Sequence, residues 1–443
     1  MQISQRFASG IAFGLMTAIA SGADWGQFRG PRGDGIVIDV KLPTTWNEGS
    51  GVAWKVRIPG RGWSQPAVAN DRVIVTTAVC DTEEKPRRGE RGIIPDARDA
   101  RQDDYQWKVM CLSAETGDVL WQETVHEGKP VHRKHRSNTF ASETPATDGE
   151  RIVCYFGMHG VTCFDMSGKR LWSKNLGPFP MQASWGSGSS PVIYKNSVLI
   201  QCDNDQSSFL VSLDAKTGDE QWRKPRDEKS NWSTPYIWKN GLRTELVTSG
   251  GHKIRSYDPE NGKLLWEMAG SGRTSITPVG DDELIYIDSV DGFQGSPGRL
   301  AAIRAGATGD ISLSDDSQTS SDFVVWSVML NSYRNASPLL FDGGLYMLEQ
   351  AQGIVRCFDA KTGKMRYQDR VPDAVGFTAS PYANDGKIFL MDEMGLTVAI
   401  APGSKLNVLS TSRLEDDLFW ASAAVHGDRL VLRGMNHLYC IRR

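Results

Sequence analysis

A repeat of 42 to 46 residues constrains the fold of this 443-residue chain more than any other feature. Each copy starts with a short polar or small pair, then proline or a substitute, then an apolar strand. The eight copies are Ser64–Pro66, Glu143–Pro145, Ser189–Pro191, Ser233–Pro235, Ile276–Pro278, Ala336–Pro338, Ala379–Pro381 and the degenerate Ala421–Ala423. Two longer intervals, 79 residues after Pro66 and 60 after Pro278, contain polar insertions. A fixed period of this length predicts one repeat domain rather than the two or three that length alone suggests.

A second signature follows later in each unit: Asp, two residues, Thr-Gly, and an aromatic residue four positions on. Asp214–Gly218 leads to Trp222, and Asp359–Gly363 leads to Tyr367. The pattern predicts a hairpin turn, with glycine at a positive φ and an aromatic on the outermost strand that packs against the neighbouring unit. Two alternating apolar runs precede this turn, so each unit has four antiparallel strands, as in a propeller blade.

The ends of the chain predict how the ring closes. The last repeat stops at its third strand, Leu438–Ile441, while a spare outer-strand sequence lies at Val52–Val56. Pairing the two would remove the open edges of the sheet. We therefore predict an all-β, eight-bladed propeller of four-stranded antiparallel blades, closed by the N-terminal strand and spanning residues 24–443.

The repeat resembles those of pyrroloquinoline-quinone (PQQ) dehydrogenases and of the outer-membrane assembly propeller BamB. The opening Trp25–Pro31 and the later Gly60–Ser64 are similar to exported PQQ-like propellers of planctomycete-type bacteria. This resemblance extends over essentially the whole mature chain. It implies the propeller fold, and it implies either a binding role or quinone-dependent chemistry, because one fold hosts many activities.

Residues 1–23 have the pattern of a signal peptide, with Arg6, an apolar stretch at Ile11–Ala20 and small residues after it. We therefore expect a periplasmic or extracellular protein without a membrane span, and a monomer. The formal charge of −3 gives no indication of a positively charged surface that would bind nucleic acid. The charged segment 81–105 is predicted to be a surface insertion.

The seven cysteines predict small-residue packing rather than a disulfide framework. Cys111, Cys163, Cys357 and Cys440 fall at one position of the third strand, where other blades carry serine or alanine. We expect most of them to be buried and reduced. Only Cys154 and Cys163 are placed to face each other across one hairpin.

The candidate binding residues lie in the loops that enter the first strand of each blade, since these loops open on one face around the channel. The set proposed for the channel mouth is Arg61, Trp63, Arg136, Trp185, Trp232, Arg273, Arg334 and Trp420. Such a set suits a planar, sugar-like or acidic ligand. The alternative is that the aromatics, with Phe140, Tyr333 and Phe377, wedge between blades while the arginines pair with carboxylates.

No catalytic or metal-ligating residues are predicted. The histidines His132 and His135 lie in a basic loop that is interpreted as a solvated connection. The leading function is an exported, non-catalytic propeller that binds a cell-envelope protein or an acidic glycan, without a cofactor. The alternative is a PQQ-dependent oxidoreductase with calcium, for which Asp203–Asp205 and Asp288 with Asp291 offer oxygen ligands. The chain lacks the adjacent cysteine pair that the resemblance implies for such quinoproteins.

Overall fold

The computed structural model describes residues 25–82, 87–89, 92–94, 100–289, 297–331, 334–415 and 417–443. The predicted signal peptide, 1–23, lies outside this part of the chain, as does much of the predicted insertion 81–105. The regular secondary structure of this part is almost entirely β-strand.

Eight four-stranded antiparallel blades form the structure, and each runs from an inner strand beside the channel to an outer strand. Blade 1 is Ala67–Ala69, Arg72–Val79, Tyr105–Ser113 and Val119–Gly128; blade 2 is Ala146–Thr147, Arg151–Tyr155, Val161–Asp165 and Arg170–Lys174; blade 3 is Val192–Tyr194, Ser197–Cys202, Phe209–Asp214 and Glu220–Pro225; blade 4 is Tyr236–Lys239, Thr244–Thr248, Lys253–Tyr257 and Leu264–Ala269. Blade 5 is Val279–Gly280, Leu284–Ser289, Gly298–Arg304 and Val324–Leu330; blade 6 is Leu339–Phe341, Gly344–Leu348, Ile354–Asp359 and Met365–Arg370; blade 7 is Tyr382–Asn384, Lys387–Met391, Leu396–Ile400 and Val408–Arg413; blade 8 is Ala424–His426, Arg429–Arg433, His437–Ile441 and Val52–Arg57.

Several short elements are present in addition to the four strands of each blade. Ile36–Val37 adds a parallel strand to the inner edge of blade 7, and Gly309–Asp310 adds one to the outer edge of blade 4. A separate hairpin joins Arg87–Gly89 to Gly92–Ile94. The described 3-10 turns are Ala100–Gln102, Gly157–His159 and Gln182–Ser184.

The predicted closure of the ring is confirmed. Val52–Arg57 pairs antiparallel with His437–Ile441 and places Trp54 opposite Cys440. The Trp54 indole is buried, and its Nε1 donates a hydrogen bond to the Ala114 carbonyl of blade 1 at 3.1 Å. The first and last segments of the chain therefore join blade 8 to blade 1.

The Thr-Gly signature serves the contact between blades. In blade 3, Asp214 accepts hydrogen bonds from the turn amides, and Gly218 has a φ of +77°. Trp172, on the outer strand of blade 2, lies so close to this glycine that a Cβ there would come within 2.6 Å of the indole. The Trp172 Nε1 donates to the Ala215 carbonyl at 3.0 Å. The predicted turn and the predicted packing of the aromatic on a neighbouring blade are both present.

The Ser/Thr-Pro signature builds a ring of hydrogen bonds that the sequence did not reveal. At each of seven joints, the amide of the residue before proline (or its substitute) donates to a hydroxyl of the next blade, as Thr144 does to Ser190 Oγ at 2.9 Å. The other donor–acceptor pairs are Gln65 to Thr144, Ser190 to Thr234, Thr234 to Thr277, Thr277 to Ser337, Ser337 to Ser380 and Ser380 to Ser422. Gln65 replaces the hydroxyl residue at the closing joint, where Arg433 Nη1 instead donates to the Ser64 carbonyl.

The cysteine column has a packing cause. In the strand register, Cys163 lies directly opposite Trp172 and Cys111 opposite Trp121, so a small residue is required across from the indole. All seven cysteines are free thiols in the structure. Cys154 lies opposite Thr162, so the one pair that could have bridged a hairpin is out of register.

The N-terminal segment from Trp25 to Gly35 is bonded to several blades. Its carbonyls accept hydrogen bonds from Val68 of blade 1, Thr147 of blade 2 and Ala383 of blade 7. The buried Arg29 side chain donates to the Pro338 carbonyl beside blade 6. Phe28 of the same segment lies in the wall of the cavity at the channel.

Candidate ligand-binding site

The loops that enter the inner strands surround a cavity of about 660 Å³ in the mouth of the channel, the channel cavity. Its size falls within the range of about 300–1,000 Å³ typical of small-molecule sites. Six of the eight predicted residues line it: Trp63, Trp185, Trp232, Arg273, Arg334 and Trp420. The hydroxyl residues of the hydrogen-bonded ring form part of the same wall.

Aromatic rings in the cavity wall form two groups. Trp63 and Trp420 stack with their centroids 4.9 Å apart and their planes at 30°. In the second group, His135 stacks on Trp185 at 4.6 Å and 9°, and Trp232 lies 6.1 Å from Trp185. These flat apolar surfaces are suited to contact with a planar group or the face of a sugar ring.

The interpretation of His135 as part of a solvated loop was wrong. Its ring is half-buried against Trp185, and Nδ1 lies 2.6 Å from Ser137 Oγ. Burial, with the nearby positive charges of Arg136 and Lys134, lowers the pKa of His135 below its ordinary value. The imidazole is therefore neutral at pH 7 and acts as an aromatic surface.

The two arginines in the wall have different environments. Arg334 is fully buried and makes a bidentate ion pair with Asp288, at 2.9 and 2.8 Å. Arg273 has a side chain that is 26% exposed, and its Nη1 lies 4.0 Å from the nearest carboxylate oxygen, on Asp205. Arg273 is therefore the cation that can turn toward a ligand, while Arg334 holds the framework of the wall.

Arg61 and Arg136 do not line the channel cavity. Arg61 is 1% exposed, and its backbone pairs with Ala78, whereas Arg136 is exposed outside the cavity. Phe140 and Phe377 are buried in the packing between blades, as the alternative interpretation proposed. Tyr333 lies outside the described residues.

Several wall residues were not found from the sequence. Gln350 and Glu393 come from the loops between the second and third strands of blades 6 and 7. Burial raises the pKa of Glu393, whose Oε1 accepts a hydrogen bond from Thr378 at 2.6 Å. These loops lie at the same cavity as the entering loops, so a search of their polar residues would have found both.

The proposed calcium ligands are already bonded to protein donors. Asp203 accepts two hydrogen bonds from Arg226, at 2.7 and 3.1 Å, and Asp288 is held by Arg334. Asp205 Oδ1 accepts from the Ser230 hydroxyl at 2.8 Å. Asp291 lies outside the described residues. These carboxylate oxygens do not fit a calcium-held quinone, because a cation would have to displace buried arginines.

Comparison with known proteins finds one matching family model, described as "Outer membrane protein assembly factor BamB", over residues 100–240 and 241–376. A curated relative, outer membrane protein assembly factor BamB of Moranella endobia (strain PCIT), is 18% identical over 184 residues. That match covers 42% of this chain and 44% of the relative, so the chain spans less than half of the relative's length.

Three solved structures share the fold. BamB from Moraxella catarrhalis has 14% identity and a TM-score of 0.53, covering 82% of this chain and 98% of that one. Quinohemoprotein alcohol dehydrogenase from Comamonas testosteroni has 13% identity and a TM-score of 0.50, covering 96% and 81%. The quinohemoprotein alcohol dehydrogenase ADHIIG from Pseudomonas putida HK5 has 10% identity and a TM-score of 0.57, covering 95% and 80%. Separately, no helix among the described residues is long and apolar enough to cross a membrane.

Proposed function

This chain belongs to the family of outer membrane protein assembly factor BamB, and we propose that it is a non-catalytic binding module that holds an acidic ligand in its channel cavity. The observation that carries the proposal is Arg273, whose partly exposed side chain lies in a wall that also contains stacked aromatics, hydroxyls and the ion-paired Arg334. A guanidinium offers a fork of donors that matches a carboxylate.

The aromatic groups favour a ligand with a flat or ring-shaped apolar face. The Trp63 Nε1 donates to the Ser137 carbonyl at 2.9 Å, and the Trp232 Nε1 donates to the Gly186 carbonyl at 2.6 Å. These bonds hold the rings in place before a ligand arrives, which reduces the entropy cost of binding. A uronic acid combines the carboxylate and the ring face that this wall recognises. An acidic envelope glycan is therefore the ligand class that we propose.

The location that we propose is the cell envelope, after export. Its support is the signal-peptide pattern of residues 1–23 together with the names of the BamB relatives, which are outer-membrane assembly factors. A protein partner, as those names suggest for the relatives, is an alternative occupant of the same face.

The titratable groups of the cavity wall support binding rather than catalysis. Arg334 is held by Asp288, Glu393 accepts from Thr378, and the neutral His135 is stacked on Trp185. None of these three pairs a nucleophile with a general base in the way covalent catalysis requires.

Calorimetric titration with a galacturonic acid hexamer tests the proposal. Loss of one hydrogen bond to a charged group costs about 1.5–3 kcal/mol, so we expect Arg273→Ala to weaken binding by about ten-fold or more. Arg370→Ala is the matched control, because that arginine is exposed on the outer strand of blade 6 and its loss should leave affinity unchanged. Equal affinity of both variants and the parent protein, or no binding to the parent protein, would reject the proposal.

The second candidate is a PQQ-dependent oxidoreductase, which the two quinohemoprotein neighbours favour. A planar quinone would suit the Trp63–Trp420 pair and Arg273, and it would supply two-electron oxidation chemistry. Added PQQ and calcium are expected to give neither a stable quinone absorbance nor dye-linked alcohol oxidation, because the calcium donors do not fit. Robust turnover would make this candidate the leading one.

A further inference from the structure

A second cavity lies beside the channel cavity, at the open ends of blades 2 and 3. This side pocket has a volume of about 390 Å³, and its wall includes Tyr155, Phe179, Ser189, Gln201 and Asn231. Ser187 and Gly188 belong to the walls of both cavities, so the two are neighbours across one strand entry.

Buried polar atoms without partners gather in the side pocket. Ser189 Oγ, Gln201 Oε1 and Asn231 Nδ2 have no hydrogen-bond partner among the described residues. Their residues are 4%, 1% and 2% exposed. Leaving a buried polar group unpaired is costly, so three in one cavity point to a ligand that pairs with them.

Neighbouring hydrogen bonds fix which way the two amides face. Gln201 Nε2 donates to Asp203 at 2.6 Å and to the Ser249 carbonyl at 2.7 Å, which leaves Oε1 as a free acceptor. Asn231 Oδ1 accepts from the Ser233 amide at 3.0 Å, which leaves Nδ2 as a free donor. Gln201 and Asn231 therefore present one acceptor and one donor in set orientations, and Ser189 adds a hydroxyl.

One side of the pocket is apolar. Phe179, Pro180 and Met181 form an apolar side, and Phe179 is braced by Phe209 with ring centroids 5.8 Å apart. The carboxylate of Asp203 is neutralised by its buried ion pair with Arg226. A charged ligand group gains nothing in such a pocket, whereas a neutral one with its own donor and acceptor can be fully satisfied.

We infer that the side pocket is a subsite for an N-acetylated amino sugar. An acetamido group carries one N–H and one carbonyl, which complement the free acceptor of Gln201 and the free donor of Asn231. Ring hydroxyls can both donate and accept, as pairing with Ser189 requires, and the ring face and acetyl methyl suit the apolar side.

The inference rests on the proposed function, since the neighbouring channel cavity takes the acidic residue of the same chain. The ligand class then becomes more specific: an oligosaccharide in which acidic and N-acetylated sugars alternate.

The test compares two probes on the full chain by calorimetry: a hyaluronan hexasaccharide, which alternates glucuronic acid with N-acetylglucosamine, and the galacturonic acid hexamer. Ser189→Ala and Asn231→Asp each remove one free group and keep the shape, and the second retains the acceptor for Ser233. Ser197→Ala is the control, because its hydroxyl bonds to Gln221 elsewhere in blade 3. Thermal melting checks that each variant is folded.

We expect the parent protein to bind hyaluronan at least about ten-fold more tightly than galacturonate. Ser189→Ala and Asn231→Asp should each remove most of that difference and leave galacturonate affinity unchanged, and Ser197→Ala should change neither. If galacturonate binds but folded variants keep full hyaluronan affinity, the side-pocket inference is wrong while the proposed function stands. If neither probe binds the parent protein, both fail.

Discussion

Replacement of Trp54 by alanine isolates the contact that closes the ring. Trp54 is 9% exposed, and its Nε1 donates to the Ala114 carbonyl. Its indole packs on Gly117, where a Cβ would come within 2.8 Å of the Trp54 ring. Removing a buried tryptophan costs about 3–5 kcal/mol, from lost burial and the cavity that remains. We expect a loss of that size in the free energy of unfolding.

Trp172→Ala is the matched control for this substitution. Trp172 is also 9% exposed, donates to the Ala215 carbonyl and packs on Gly218, but it joins two blades that are consecutive in sequence. Urea unfolding followed by circular dichroism measures both variants. If the N-terminal strand is docked, the two losses are similar. A loss below about 1 kcal/mol for Trp54→Ala, with a full loss for Trp172→Ala, would refute the closure. A deletion of residues 24–58 would be less specific, because it also removes the segment Trp25–Gly35, which is bonded to several blades.

Three further predictions concern buried polar groups. Arg334→Ala should lower the free energy of unfolding by about 3–5 kcal/mol, because Asp288 is left buried without its partner, and the double variant with Asp288→Leu should recover much of that loss in urea unfolding. Burial raises the pKa of Glu143 from 4.5 to about 7, so the folded protein holds a proton that the unfolded chain releases. Stability should therefore fall as the pH rises from about 4.5 to 7, by roughly 1–3 kcal/mol, and Glu143→Gln should flatten that slope. Thiol titration of the denatured, non-reduced protein should find seven free groups. In the native protein these thiols should react slowly, since burial raises the pKa of Cys111 and Cys163 to about 12. Fewer than five free groups in the denatured protein would mean that disulfides form.

The fold could be predicted because its signals are local and repeat. The Asp-x-x-Thr-Gly turn, the aromatic after it and the small residue opposite that aromatic form one contact that each blade makes with the next. The spare strand at Val52–Val56 was meaningful only because the last blade lacked a fourth strand. These deductions require the number of strands in each repeat and the alignment of the repeats with one another. Both can be read from a single sequence.

The site could be predicted only in part, because a loop position does not determine where a side chain points. Trp63 and Trp420, both predicted for the channel mouth, line the channel cavity. Arg61 and Arg334 occupy similar loop positions. Arg61 is buried outside the cavity, whereas Arg334 forms an ion pair with Asp288, which lies 46 positions earlier in the sequence. Asp288, which pairs with Arg334, and Ser249, which accepts from Gln201, both lie on other blades, so no local pattern shows which polar atoms are left free.

A crystal structure of the protein with the galacturonic acid hexamer tests the central claim most directly. The account predicts ordered sugar in the channel cavity, with a carboxylate within hydrogen-bonding distance of Arg273 and a ring face against Trp185 and Trp232 or against Trp63 and Trp420. Sugar ordered on another face, with the channel cavity filled by water alone, would contradict it.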